Sequence, residues 1–252
     1  MGLSFLKHVL FKNFVALTTL QGINLILPFI TLPYLARVLG VSNYGVVAMV
    51  YSIMQLLFVL CDYGFNLSAT KEISLHRNSP SKVNTIFSSI ICIKTILLLL
   101  TLLILLILTF SVPTINSHKT AYFMGFGMVI GQSITPIWLF QGMEKMKYIT
   151  IVNLVSKLTF TVFIFVLIRS SGDYIYVPLL YSIGFVLAGI LSLYFAYREF
   201  GVKFLMPRRQ EIKEQLNTST QYFFSRASVA AYTSSNNFVV GLVLGNYYAG
   251  IF

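Results

Sequence analysis

Residues 84–110 read NTIFSSIICIKTILLLLTLLILLILTF, an apolar run interrupted by a single charge, Lys94. At 1.5 Å of rise per residue, about 20 helical residues cross a hydrocarbon core about 30 Å thick, so this segment has the length of a transmembrane helix. Five more stretches of the same kind lie near residues 13–36, 44–68, 121–141, 149–168 and 175–197, and a seventh begins near residue 218. Composition agrees. Of 252 residues, 57% are hydrophobic and 10% charged, and the mean hydropathy is +0.81. An ordinary soluble domain carries roughly 25% charged residues. The expected fold class is an all-α polytopic membrane protein.

Lysines and arginines collect at alternate ends of these spans. One set of segments holds Lys7, Lys12, Lys71, Arg77, Lys82, Lys145, Lys147, Arg198, Lys203, Arg208, Arg209 and Lys213; the other holds Arg37, Lys119 and Arg169. Cationic loops stay on the cytoplasmic side during insertion, which predicts a cytoplasmic N-terminus. The loops account for most of the net charge of +11, so it calls for no nucleic-acid partner.

The first apolar stretch is too long for a signal peptide and no small-residue cleavage site follows it, so it is expected to remain as the first helix. Position 6 is Leu, which does not fit a myristoylation start at Gly2. Cys61 and Cys92 fall within apolar helices and read as small buried hydrophobes. Glycosylation patterns at Asn66 and Asn217 lie on the expected cytoplasmic face and are discounted.

Val38-Leu39-Gly40 and Gly45 match Val243-Leu244-Gly245 and Gly250 at an offset of 205, which also superposes the first span on the seventh. Parallel repeats of this kind occur in two-lobed transporters. The expectation is a six-helix N-terminal lobe over residues 1–217 and the opening helix of a second lobe over 218–252, with the remainder of that lobe beyond Phe252.

Polar residues recurring at helical spacing inside apolar helices mark a face turned to protein or to a water-filled cavity. The first span shows Thr18, Gln21, Asn24, Pro28 and Thr31; the second Tyr51, Gln55, Asp62 and Asn66. The fifth shows Thr150, Asn153, Lys157 and Thr161, and the seventh Ser219, Tyr222, Arg226, Thr233 and Asn237. Asp62 lies about 10 Å, and Lys157 and Arg226 about 12 Å, from the same side of the bilayer at 1.5 Å per residue, so the three are expected around one cavity. The alternative is a structural ion pair between Asp62 and one of these cations, the other reaching for the membrane surface. Lys94, whose helical neighbours are mostly apolar, is expected to snorkel. Gly125, Gly127 and Gly131 suit either helix association or internal packing.

His8, His76 and His118 are not spaced as metal ligands, no paired carboxylates share a membrane stripe, and glycine loops of the Walker type are missing. No cofactor and no catalysis are expected.

The runs Gln21-Gly22-Ile23-Asn24 and Leu32-Pro33-Tyr34-Leu35-Ala36-Arg37-Val38-Leu39-Gly40, the stretch from Asp62-Tyr63-Gly64-Phe65 to Glu72-Ile73-Ser74, and Trp138-Leu139-Phe140-Gln141-Gly142-Met143-Glu144 resemble the bacterial O-antigen and capsular repeat-unit flippases. These belong to the multidrug, oligosaccharidyl-lipid and polysaccharide exporter superfamily. The resemblance implies two lobes around a cavity open alternately to either side of the bacterial inner membrane. It implies a substrate of oligosaccharide on undecaprenyl pyrophosphate, with other polysaccharide-assembly proteins as candidate partners. In such a protein Arg226 and Lys157 suit the pyrophosphate, because guanidinium and ammonium groups bond phosphate oxygens. Asn24, Gln21 and Gln55 suit sugar hydroxyls, and Asp62 and Asn153 complete the expected cavity set. A member of this group continues for another lobe, so the chain is expected to be a fragment or one half of an assembly. Competing readings are a cation-coupled drug antiporter of the same superfamily and a membrane-embedded polymerase or glycosyltransferase. The short outer loops count against the polymerase. A chain that inserts without transporting is the remaining reading.

Overall fold

The computed structural model describes residues 2–233, 239–241, 243 and 245–251. Its elements are α1 (Gly2–Leu39), α2 (Val41–Asp62), α3 (Phe65–His76), α4 (Pro80–Ser111), α5 (Pro113–Asn116), α6 (Lys119–Ile134), α7 (Ile137–Gly142), α8 (Met146–Leu167), a 3₁₀ turn (Ser171–Ile175), α9 (Tyr176–Glu199), α10 (Arg209–Thr233) and α11 (Asn246–Ile251). No strand occurs among the described residues. Five helical stretches are long and apolar enough to cross a membrane, namely Val41–His76, Pro80–Ser111, Lys119–Gly142, Met146–Leu167 and Ser171–Glu199, and Leu25–Leu39 adds a shorter apolar segment. The protein is an all-α polytopic membrane protein, and the apolar runs of the sequence fall on these helices. α10 starts at Arg209, ahead of the residue 218 at which the seventh span was expected. Asn237, expected on its polar stripe, lies outside the described residues.

Two of the stretches are broken, each for a local reason. Tyr63 and Gly64 both adopt left-handed backbone conformations, with φ of 46° and 77°, and separate α2 from α3. A Cβ on Gly64 would stand 2.7 Å from the Phe223 backbone nitrogen, so glycine there also admits α10. Pro136 splits α6 from α7: proline disfavours the helical region for the residue before it, and Thr135 is extended with ψ of 109°.

Contacts between loops define two ends. At one, Tyr34 Oη donates to the Ile168 carbonyl at 2.7 Å, Asn43 Nδ2 donates to the Ser171 carbonyl at 2.9 Å, and His118 Nδ1 and Tyr174 Oη lie 3.0 Å apart. At the other, rich in lysine and arginine, Arg77 and Glu144 form an ion pair at 2.8 Å, and the Lys203 amide donates to Asn84 Oδ1 at 2.9 Å. The core falls into patches between these ends. Val50, Met54, Leu57, Tyr122 and Val129 join α2 to α6, while Phe65, Ile73, Phe87 and Trp138 pack beneath the basic end. Leu99, Leu103, Ile107 and Phe110 of α4 point outward and are more than half exposed. An apolar strip of that extent suits acyl chains, whereas in water it would mark a binding surface.

The glycines of α6 serve internal packing. A Cβ on Gly127 would stand 2.6 Å from that of Ser182, and one on Gly131 would overlap the Phe185 backbone. Ser182 Oγ donates to the Met124 carbonyl at 2.6 Å across the same contact, so α6 and α9 meet backbone to backbone. The glycines expected to correspond at an offset of 205 lie close together: Gly250 of α11 abuts the Val41 carbonyl, and its missing Cβ would stand 3.1 Å from the Gly45 nitrogen on α2.

Candidate functional site

Helices α1, α2, α8 and α9 surround a cavity of about 310 Å³. α1 contributes Pro28 and Thr31, α2 Tyr44 and Tyr51, α8 Lys157 and Phe160, and α9 Tyr181 and Phe185. The Tyr181 ring lies 4.5 Å from that of Phe160 and 6.0 Å from that of Tyr51. Lys157 is the one charged group among the lining residues. An ammonium held among aromatic rings and phenol hydroxyls, away from competing carboxylates, attracts an anionic group more strongly than it would in water. The volume falls at the low end of the range for small-molecule sites, about 300–1,000 Å³.

Three of the polar stripes therefore converge, through Thr31, Tyr51 and Lys157. Other expected members stand apart. Gln55 is hydrogen-bonded to Tyr51, one turn earlier on α2, and is not among the lining residues. Asn153 Nδ2 donates to the Ile149 carbonyl of its own helix at 2.9 Å. Gln21 is exposed, and the Asn24 side chain lies outside those described. Arg226 is half-buried on α10, one turn beyond the Tyr222 that closes on Gly64, and is not among the lining residues. The aromatic lining of Tyr44, Phe160, Tyr181 and Phe185 carried no sequence signal, because large rings in apolar helices read equally as core.

Asp62 and Lys94 correct the sequence reading. Lys94 does not snorkel: its Nζ donates to Asp62 Oδ1 at 3.1 Å, and the two side chains are 4% and 1% exposed. The expected meeting of Asp62 with Lys157 or Arg226 is replaced by this pair, which lies away from the cavity lining. Asn66 Nδ2 donates to the same oxygen at 2.8 Å, and Ser133 Oγ donates at 2.9 Å to Cys61 Sγ beside it. Asp62 Oδ2 and Asn66 Oδ1 are buried without hydrogen-bond partners. Two charges that would each be costly in lipid neutralise one another across α2 and α4.

Residues 10–252 match the family described as polysaccharide biosynthesis protein. The chain belongs to this family. It is 30% identical over 246 residues to a protein of Escherichia coli (strain K12) named "Putative O-antigen transporter", covering 98% of this chain and 59% of that relative. It is 29% identical over 238 residues to a protein of the same name from Shigella dysenteriae, covering 94% and 59%. The chain thus spans about three fifths of the length of the curated relatives it matches. No solved structure matches it. For this polysaccharide biosynthesis family member, the relatives' names are those of transporters, and the described residues contain no cluster of histidine, cysteine and carboxylate groups able to hold a metal ion.

Proposed function

We propose that this chain supplies the N-terminal lobe, residues 1–217, and the beginning of a second lobe of an exporter that carries undecaprenyl-pyrophosphate-linked oligosaccharide across the bacterial inner membrane. The N-terminus and the basic loops face the cytoplasm, and transport proceeds by alternating access. The observation that carries this reading is Lys157, a lone ammonium in a cavity built by four helices. A pyrophosphate bears the charge that such a group attracts, and the phenol hydroxyls around it donate to the remaining phosphate oxygens. Beside this cavity lies an apolar hollow of about 390 Å³ that shares Pro28, Leu32 and Tyr44 with it and adds Phe29, Pro33 and Ala36. It supports a lipid-bearing substrate, because an acyl or prenyl chain can follow it while the head group sits at Lys157. Arg226 is proposed as a second phosphate contact reached when the lobes rearrange.

The test is complementation of a bacterium lacking its own repeat-unit flippase, using the reading frame that contains these residues. Lys157→Ala is expected to lower surface polysaccharide at least tenfold with membrane insertion unchanged, and Lys157→Arg to retain part of it. Wild-type levels of polysaccharide from Lys157→Ala would refute the role.

A further inference from the structure

Gly201, with φ of 60°, stops α9, and residues 202–207 cross to α10 as a strap without helix. α4 holds that strap in place. The Lys203 amide donates to Asn84 Oδ1 at 2.9 Å, and the Leu205 amide donates to Ser88 Oγ, one helical turn further along, at 2.9 Å. Val202 is buried in the core beneath it. The next three side chains have no such cover: Phe204, Leu205 and Met206 are 48%, 51% and 84% exposed. A pinned backbone that turns three consecutive apolar side chains outward makes an interaction surface of them.

The depth of the strap identifies what it meets. Ser88 lies about 12 Å from the start of α4 at 1.5 Å per residue, just past Ile86, where the apolar run of this helix opens. That is the level at which a bilayer passes from headgroups to acyl chains. Cations bracket the apolar residues: Lys203, Arg208 and Arg209 are exposed and, among the described residues, form no ion pair. The carboxylates on either side are engaged by other groups, Glu199 by Tyr148 Oη at 3.0 Å and Glu211 by the Arg208 amide at 2.7 Å. Nor do the two arginines serve α10, since positive charge at a helix N-terminus opposes the helix dipole.

We infer that residues 203–209 form a lipid-anchoring site, at which Phe204, Leu205 and Met206 enter the boundary of the acyl chains and Lys203, Arg208 and Arg209 bind the phosphates of anionic phospholipids. Apolar side chains flanked by lysine and arginine are the arrangement by which surface segments hold to anionic membranes. The anchor ties the junction between α9 and α10 to the membrane surface. This goes beyond the exporter reading and does not depend on it, because the ligand is an anionic bilayer whatever the protein carries.

The experiment reads tryptophan emission from the full chain in nanodiscs of mixed phosphatidylglycerol and phosphatidylcholine. Trp138, the one tryptophan of the sequence, is fully buried and gives a common background. Met206→Trp adds a reporter in the strap, and Leu103→Trp adds one on the exposed strip of α4. The quencher is bromine on the acyl chains of either the anionic or the zwitterionic lipid, at equal mole fraction. At Met206→Trp both lipids are expected to quench, the anionic one about twofold more strongly, whereas at Leu103→Trp the two are expected to quench alike. Lys203→Gln, Arg208→Gln and Arg209→Gln together, all on the surface where folding is not at risk, are expected to bring the ratio at Met206→Trp to that at Leu103→Trp. No quenching at Met206→Trp by either lipid would overturn the anchor and leave the strap facing water or a soluble partner. Equal quenching by both lipids there, or an anionic preference that survives the three substitutions, would overturn the phosphate contacts.

Discussion

Lys94 and Asp62 sit 32 residues apart in the chain and 3.1 Å apart in space, joined across α2 and α4 with both side chains sealed from their surroundings. Removing one member strands the other charge, which for buried pairs costs about 3–5 kcal/mol. Lys94→Met and Asp62→Leu are therefore each expected to lower the thermal midpoint of the detergent-solubilised protein sharply. The double substitution is expected to recover most of the loss. A double variant as unstable as the sum of the two singles would show that the residues do not act as a pair.

Gly131→Ala is expected to loosen α6 from α9, because the added methyl overlaps the Phe185 backbone, which has no side-chain freedom with which to yield. Overpacking of this kind costs about 1–3 kcal/mol. Gly22→Ala meets nothing within 4 Å and serves as the control. Equal thermal midpoints for the two variants would contradict the backbone contact.

Ser68 Oγ and Ser219 Oγ lie 2.7 Å apart between α3 and α10, both side chains buried. Cysteines at these positions are expected to form a disulfide under oxidation, because the two side chains already meet end to end across the helix contact. If α10 begins a lobe that moves against α3, oxidising Ser68→Cys/Ser219→Cys should abolish export and reduction should restore it. Undiminished export from fully oxidised protein would mean that this contact is static during transport.

The 3₁₀ turn that leads into α9 depends on Asp173, whose Oδ2 accepts from the Arg169 and Ser170 amides at 2.9 and 2.8 Å. Asp173→Ala removes both acceptor bonds and is expected to speed amide exchange in residues 171–175 at constant pH, while Asp173→Asn, which keeps one acceptor oxygen, is expected to have a smaller effect. Exchange in Asp173→Ala that matches the parent protein would show that the turn does not rest on these bonds.

The helices were legible because hydropathy over about 20 residues is a property of one segment at a time. Partners across segments were not. Lys94 among Ile90, Ile91, Leu97 and Leu98 reads as a cation escaping to the surface, and nothing on α4 names Asp62 as its counterion. The cavity was half-legible: Thr31, Tyr51 and Lys157 stand out as polar interruptions, whereas Tyr181 and Phe185 on α9 do not. Gln55 and Asn153 kept the right spacing but spend their hydrogen bonds on their own helices. Spacing reports which face a residue occupies and leaves open what that residue touches. The contact of Glu72 with Gln215 joins residues 143 positions apart, beyond the reach of any local pattern.

The buried pair also sets an order of events during synthesis. When α2 emerges, its terminal residue Asp62 has no counterion, and a lone charge within a spanning segment costs up to about 2.5–3.5 kcal/mol on insertion scales. At roughly 5–20 residues per second, Lys94 follows roughly 2 to 6 s later. Through that interval α2 is poorly suited to lipid, and it gains a stable berth once α4 arrives to neutralise it. The two helices are thus expected to settle in the bilayer together, and a nascent chain halted before Lys94 to be retained at the insertion machinery.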